Sequence, residues 1–503
     1  MKKIVLFIVI VLLFSCKKQK LKTDYLGIVN MTITGSEAAL PHFEKGLLLL
    51  HSFEYSDARE AFLNAQKIDP KLAMAYWGEA MTYNHPLWSS QNYDKAVVCL
   101  ERLKENKQEL TSLEEDFLKA IHILYQTKKT KKERDVLYAK FMESLQSKYP
   151  DNHEVSAFYA LSLLGSVSEG RDYEVYGRGA NIVQSIIDKN PNHPGALHYL
   201  IHSYDDPIHA KLALNAANSY AKVAPDASHA LHMPSHIYLA LGMWDEVVSS
   251  NENSYQASLN RMERKNLGNN GRGYHAFHWL EYGYLQQGRV EDARNMVLDL
   301  ERYVEETPST VARKHLIYLK GTFLMNTNLW DDPIAKIAID ISDMNVANRA
   351  QYHVIEGMYA FHSKDKNKLM AAIKSIQDDY DKESLLITYK GAQLCSGSSS
   401  KDTSSIDIAQ TEIMLEQLLA LLSWMNDDIE LTEKYLIKSN ELYNQLSYNF
   451  GPPFIQKPTN ELYADWLLLQ NRPKEAEEQY ELTLKKATNR NIAVKGKQKA
   501  GKI

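Results

Sequence analysis

The sequence predicts an all-α fold, a right-handed solenoid of antiparallel helical pairs with a concave groove. Three observations predict it. Small and aromatic residues recur at fixed helical spacing near both ends of the chain, and similar inter-helix turns recur between them. Almost no segment shows the period-two alternation of a half-buried strand.

The clearest unit spans residues 40–70, where Gly46 is followed by Ala58, Phe62, Ala65 and Pro70. This is the skeleton of a tetratricopeptide repeat (TPR): small residues let two helices close on each other, and proline ends the second. Tyr55-Ser56-Asp57 supplies the turn and the helix N-terminus. The next helix ends at Asn84-His85-Pro86, and Ser112 with Glu115 has the spacing of a capping box. Residues 241–247, 287–293 and 470–476 read as further inter-helix turns. Residues 165–173, 264–273 and the serine-rich 395–405 interrupt the pattern.

The N-terminus gives an address. Lys2 and Lys3 precede an apolar run over residues 4–14, then Ser15-Cys16. The layout is secretory, and the run is too short to cross a bilayer. The cysteine resembles that of a bacterial lipobox, which predicts a secreted lipoprotein of the cell envelope, periplasm-facing or surface-exposed, anchored to the membrane by lipid on Cys16. The predicted organisation is a signal peptide (1–15), a tether (16–37), a TPR solenoid with a histidine-rich groove (38–395), a linker (396–405), C-terminal TPR helices (406–489) and a flexible basic tail (490–503). Of 503 residues 44% are hydrophobic and 24% charged, with net charge -5. This balance lacks the basic excess of a nucleic-acid surface. Cys99 and Cys395 lie far apart in a quasi-linear array, so they read as buried thiols rather than a disulfide.

The chemistry concentrates in the middle. His198 and His202 are four apart, as are His232 and His236, and the two pairs are offset by 34 residues, one TPR period. His229 precedes His232 by three, and His275 precedes His278 by three. Residues at i, i+3 and i+4 share a helix face, and packed helices sit roughly 8–10 Å apart. The repeat register places His198, His202, Asp205, Asp206, His229, His232, His236, His275 and His278 on the groove. Imidazole with carboxylate suits zinc, iron, copper or nickel, with Asp205 or Asp206 as a ligand or as a group fixing a histidine tautomer. Trp77, Met81, Asn84 and His85 occupy the corresponding places of an earlier repeat and predict an apolar stretch of the same groove. Asn251, on a second helix, reads as a capping or packing residue.

These segments carry a resemblance. Residues 54–62, 75–88, 198–207, 230–239 and 274–280, with Gly451-Pro452-Pro453 and Lys457-Pro458, resemble a widespread family of bacterial TPR proteins. The resemblance runs from about Ala39 to Asn489. It implies the fold and no particular activity.

The functional expectation is a TPR lipoprotein whose groove binds a transition metal, with a catalytic use open to it. The alternatives are an interaction scaffold holding a peptide or partner helix in the groove, and a glycan- or nutrient-binding envelope lipoprotein using some of the 30 tyrosines and 7 tryptophans. Free imidazole chemistry predicts that metal affinity falls as pH drops through about 6.5.

Overall fold

The computed structural model describes residues 25–104, 109–167, 170–390 and 403–502. Cys16, Cys395 and the signal peptide lie outside them, as does most of the serine-rich linker. The described chain is an all-α, TPR-type solenoid of antiparallel helical pairs. The first pair is Leu40–His51 with Tyr55–Ile68, and the last is Thr459–Leu469 with Pro473–Lys486. The one sheet among the described residues is a two-residue ladder joining Asn84–His85 to Ser90–Gln91. No helix of the described residues is long and apolar enough to cross a membrane.

The repeat skeleton works by close approach. A Cβ added at Gly46 would meet the Phe62 ring at 2.7 Å, and one at Gly78 would meet it at 2.3 Å. The aromatic ring is thus clamped between two helices that only glycine lets come so near. Phe62 is fully buried, which stabilises the pair by roughly 1.5–3 kcal/mol. Trp77 belongs to the same core: it is fully buried and packs edge-on against Phe117 and Phe158. It is a packing residue, not part of a groove surface.

Three other expectations are corrected. The capping box sits one residue earlier, with Thr111 as N-cap and Glu114 returning to it. Glu114 is favoured because it also accepts from the Thr34 backbone at 2.7 Å. The described part of the tether is docked: Leu26 and Ile33 are buried, and the Ile28 N–H donates to the Asn192 carbonyl at 2.9 Å. The basic tail contains a helix, Asn491–Ala500. Arg490 is fully buried and donates to Glu461 at 2.7 Å, while Ala493 and Ala500 pack inward and leave the lysines outside.

The superhelix winds tightly enough to meet itself. The Leu40–His51 helix packs against Pro194–Ser203, four pairs further on. Glu54 accepts from the Ser228 hydroxyl at 2.7 Å and from the His229 N–H at 2.9 Å. Asp57 takes Arg261 and Lys265 at 2.5 and 2.9 Å. The concave side is then filled from the other end of the chain. Gln351 donates to the Phe454 carbonyl, and Gln456 donates to the Tyr318 carbonyl, each at 2.7 Å. Gly451, at φ +90°, lies so close to Trp279 that a Cβ would meet the indole at 2.4 Å. The expected groove is therefore an enclosed interior.

Candidate metal centre

Three helices deliver the histidines. Pro194–Ser203 is buried along its whole length. It starts on His193, whose Nδ1 accepts from the Ala196 N–H at 3.1 Å, and Pro194 occupies the first turn. His198 and His202 are one turn apart on it. The next inner helix is broken by Pro234 into Ser228–His232 and Pro234–Leu241, which carry His229, His232 and His236. Tyr274–Gln286 brings His275.

His198, His202 and His229 form the first triad, each offering a ring nitrogen within 4.8 Å of the others. The His198 Nδ1 donates to the His51 carbonyl at 2.7 Å, so its Nε2 carries the lone pair. The Nε2 atoms of His198, His202 and His229 are all buried, and none has a hydrogen-bond partner among the described residues. Phe53 lies over all three rings, with centroids 4.3 Å from His198, 6.0 Å from His202 and 5.8 Å from His229. Burial in these surroundings disfavours the imidazolium. It pulls His198 down to about 3 and holds His202 and His229 well below the usual histidine range. Three imidazoles thus converge, each with an unpartnered Nε2.

His232, His236 and His275 form a second group within 4.8 Å, and His202, Asp205 and His236 form a third that links the two. Asp205 is buried, with its Oδ2 2.5 Å from His236 Nδ1 and its Oδ1 unpaired. His275 is exposed and His229 half-buried, so the centre is reached from solvent at its edges. Two of the predicted site residues are elsewhere. Asp206 accepts from the Ile208 and His209 N–H groups and from the His209 ring, closing the turn after the Pro194 helix. His278 faces Thr322 and Tyr318.

The other groove residues sit beside the centre. Met81 and Asn84 line a small cavity next to Phe53. His85 stacks on Tyr55 at 4.0 Å and meets Trp88 edge-on. The sequence missed Asn251 as a site residue: it is fully buried, with Oδ1 2.7 Å from His232 Nδ1. It missed Phe450 too, whose ring lies 5.3 Å from His236 and 6.4 Å from His202. No local pattern marks either residue: Asn251 reaches His232 from the second helix of the same pair, and Phe450 comes from the far end of the chain. Phe450 also lines a cavity of about 790 Å³ with Arg171, Tyr176, Tyr443, Tyr448 and Phe454.

A fourth cluster looks similar and is not. His51, Glu154 and His193 are fully buried. His51 Nε2 donates to Glu154 Oε2 at 2.7 Å, and its Nδ1 lies 2.8 Å from the Tyr199 hydroxyl, which donates to it. His193 Nε2 donates to Glu154 Oε1 at 3.1 Å, its Nδ1 being taken by the Ala196 N–H. Burial raises the Glu154 carboxyl, and its two imidazole partners pull it further the other way, below the usual carboxylate range. Every nitrogen has a partner, so this network ties three helices together and has no lone pair left for an ion.

No protein-family model matches the chain, and no curated protein matches it. Among solved structures it is similar to yeast Tom70, at 12% identity over 92% of this chain and 88% of that one, with a TM-score of 0.33. A monomeric IFIT1 mutant with Gppp-AAAA aligns at 10% identity over 94% and 92%, with a TM-score of 0.38. The TPR domain of P58(IPK) aligns at 13% over 92% and 98%, with a TM-score of 0.20.

Proposed function

We propose that this chain is a metalloprotein that holds a transition ion on the Nε2 atoms of His198, His202 and His229, inside a closed TPR superhelix. The observation that carries the reading is the set of three buried, unpartnered nitrogens. A buried polar atom without a partner costs about 1–3 kcal/mol, and three at one point are a steep, unexplained cost unless a ligand satisfies them. Zinc, iron, copper and nickel all accept imidazole. Three protein ligands leave a fourth position for water or substrate. An open coordination position would permit a catalytic use of the ion. The lipobox-like Cys16 supports a bacterial cell-envelope address on a lipid anchor, and Cys16→Ser is expected to move the protein from membranes to the soluble fraction.

Helical-pair solenoids are a common build for protein-interaction scaffolds, and a protein partner on the outer surface is compatible with this one. A peptide in the groove is disfavoured, because residues 450–456 already lie along it. The test is elemental analysis of untagged protein after exposure to each of the four metals. Stoichiometric metal in wild type and its loss in His202→Phe are expected. Wild-type protein that retains no ion overturns the reading and leaves the scaffold.

A further inference from the structure

The second histidine group has its tautomers fixed by its neighbours. Asn251 Nδ2 donates to the Val247 carbonyl at 2.8 Å, which turns its Oδ1 toward His232. That oxygen can only accept, so His232 carries its proton on Nδ1. Asp205 Oδ2 does the same for His236 Nδ1. When both rings take the neutral form that binds metal, both Nε2 atoms are lone pairs, and they face each other at 3.1 Å. Two lone pairs at that distance repel unless a proton or a metal ion lies between them. Ligands bonded at about 2.0–2.1 Å to a tetrahedral ion are separated by roughly 3.3–3.4 Å, close to what is found. His275 brings a third nitrogen within 4.8 Å, its ring centroid 4.7 Å from that of His232. Metal-bound histidines characteristically donate their other ring N–H to a carboxylate or carbonyl, and Asp205 and Asn251 provide both kinds of acceptor.

We infer that His232, His236 and His275 hold a second ion, and that the two neighbouring triads together form a two-ion cuprous copper centre. The inference rests on the metal reading of the first triad. The two sites adjoin: the His202 and His236 rings are 5.5 Å apart, and an Asp205 oxygen lies within 4.8 Å of a ring nitrogen of each. Charge selects the metal. Six neutral imidazoles bring no negative charge, and Asp205 is the one carboxylate in the linked groups, Asp206 being turned to His209 and Arg171. Two divalent ions would place four positive charges against one negative charge, among side chains most of which are buried. Two cuprous ions place only two there, and the desolvation penalty rises steeply with charge. Imidazole sets accept copper readily, and a single carboxylate, with its Oδ2 already held by His236, is sparse for a pair of hard divalent ions.

The experiment is an anaerobic titration of untagged, metal-free protein with tetrakis(acetonitrile)copper(I), read against a chromophoric cuprous chelator. Two copper ions per chain are expected for wild type and one for His232→Phe. Asn251→Leu keeps every ligand and removes the tautomer lock, together with the bond to the Val247 carbonyl; it is expected to weaken the second site about 10- to 100-fold with the first unchanged. It also serves if His232→Phe does not fold, which circular dichroism reports. One copper in wild type, unchanged in both variants, overturns the second site and leaves the first standing. Absence of any ion overturns both. Zinc displacing copper(I) at equal concentration overturns the assignment of the metal.

Discussion

Two buried triads stand a few ångströms apart in this molecule, and they differ in one respect. In His51–Glu154–His193 each ring nitrogen has a partner at 2.7–3.1 Å. In His198–His202–His229 three nitrogens have none. Histidine content alone does not mark the difference, since both clusters are histidine-rich. What separates them is the carboxylate and the tyrosine hydroxyl supplied to one and withheld from the other. The saturated cluster even sets up the unsaturated one, because the carbonyl of His51 fixes the His198 tautomer. Convergent histidines are thus evidence for an ion only after their hydrogen bonds have been counted.

Exchanging the same residue type in both clusters sharpens the contrast most. His51→Phe leaves Glu154 with a lost partner in a dry interior, and urea unfolding is expected to show a loss of about 3–5 kcal/mol. His202→Phe removes a nitrogen that had no partner, so the metal-free protein should change by about 1 kcal/mol or less while its metal content collapses. Equal losses in the two variants would erase the distinction.

Opening the interior is the next largest perturbation. Gly451→Ala places a methyl group against the Trp279 indole at a backbone angle unfavourable to alanine. A destabilisation of about 1–3 kcal/mol is expected, together with faster metal exchange as Phe450 lifts from His202 and His236. Unchanged exchange in a destabilised variant would mean that this loop does not guard the site.

Protonation distinguishes the triads more gently. In the folded, metal-free state His198 is held down to about 3, and His202 and His229 well below the usual range, because burial penalises the charged ring. Their unfolded value is about 6.5. Between these limits the unfolded chain binds more protons, so stability rises with pH there. The contribution is complete above about pH 6.5 and is lost progressively as pH falls toward 3. Urea midpoints from pH 8 to pH 5 should therefore fall, and His198→Phe should flatten the slope. The drop in metal affinity, expected near 6.5 for free imidazole, moves to lower pH for the same reason.

The fold was legible because its information is local. Gly46, Phe62 and Pro70 define a helical pair without reference to the rest of the chain, and the offset of 34 put two histidine pairs in register. The capping box was missed by one residue because Thr34, eighty positions away, chose Glu114. The tail was misread because Glu461, which anchors Arg490, is distant in sequence. The site was half legible. Five of its six histidines share turns or register with one another, and the offset from His229 brings in His275. Enclosure was not readable, since nothing near Phe450 in sequence announces that it meets His236. Nor could spacing tell Asp205, which holds an imidazole, from Asp206, which holds a turn.

The clasp from Asp57 to Arg261 and Lys265 has a consequence for how this protein comes apart. A linear repeat array frays from its ends, because each unit leans only on its neighbours. Here the first pair leans on the sixth, across 204 residues of chain. Losing an end repeat therefore also strips a wall from the middle, and the usual independence of repeats gives way to all-or-none melting of the ring. Asp57→Asn should cost only about 1 kcal/mol, yet broaden the denaturant transition as that half regains the freedom to unzip unit by unit. The loop that must close is long, so closure comes late in folding. The histidines meet only then, and an ion that bridges them would capture a chain that has already finished its circle.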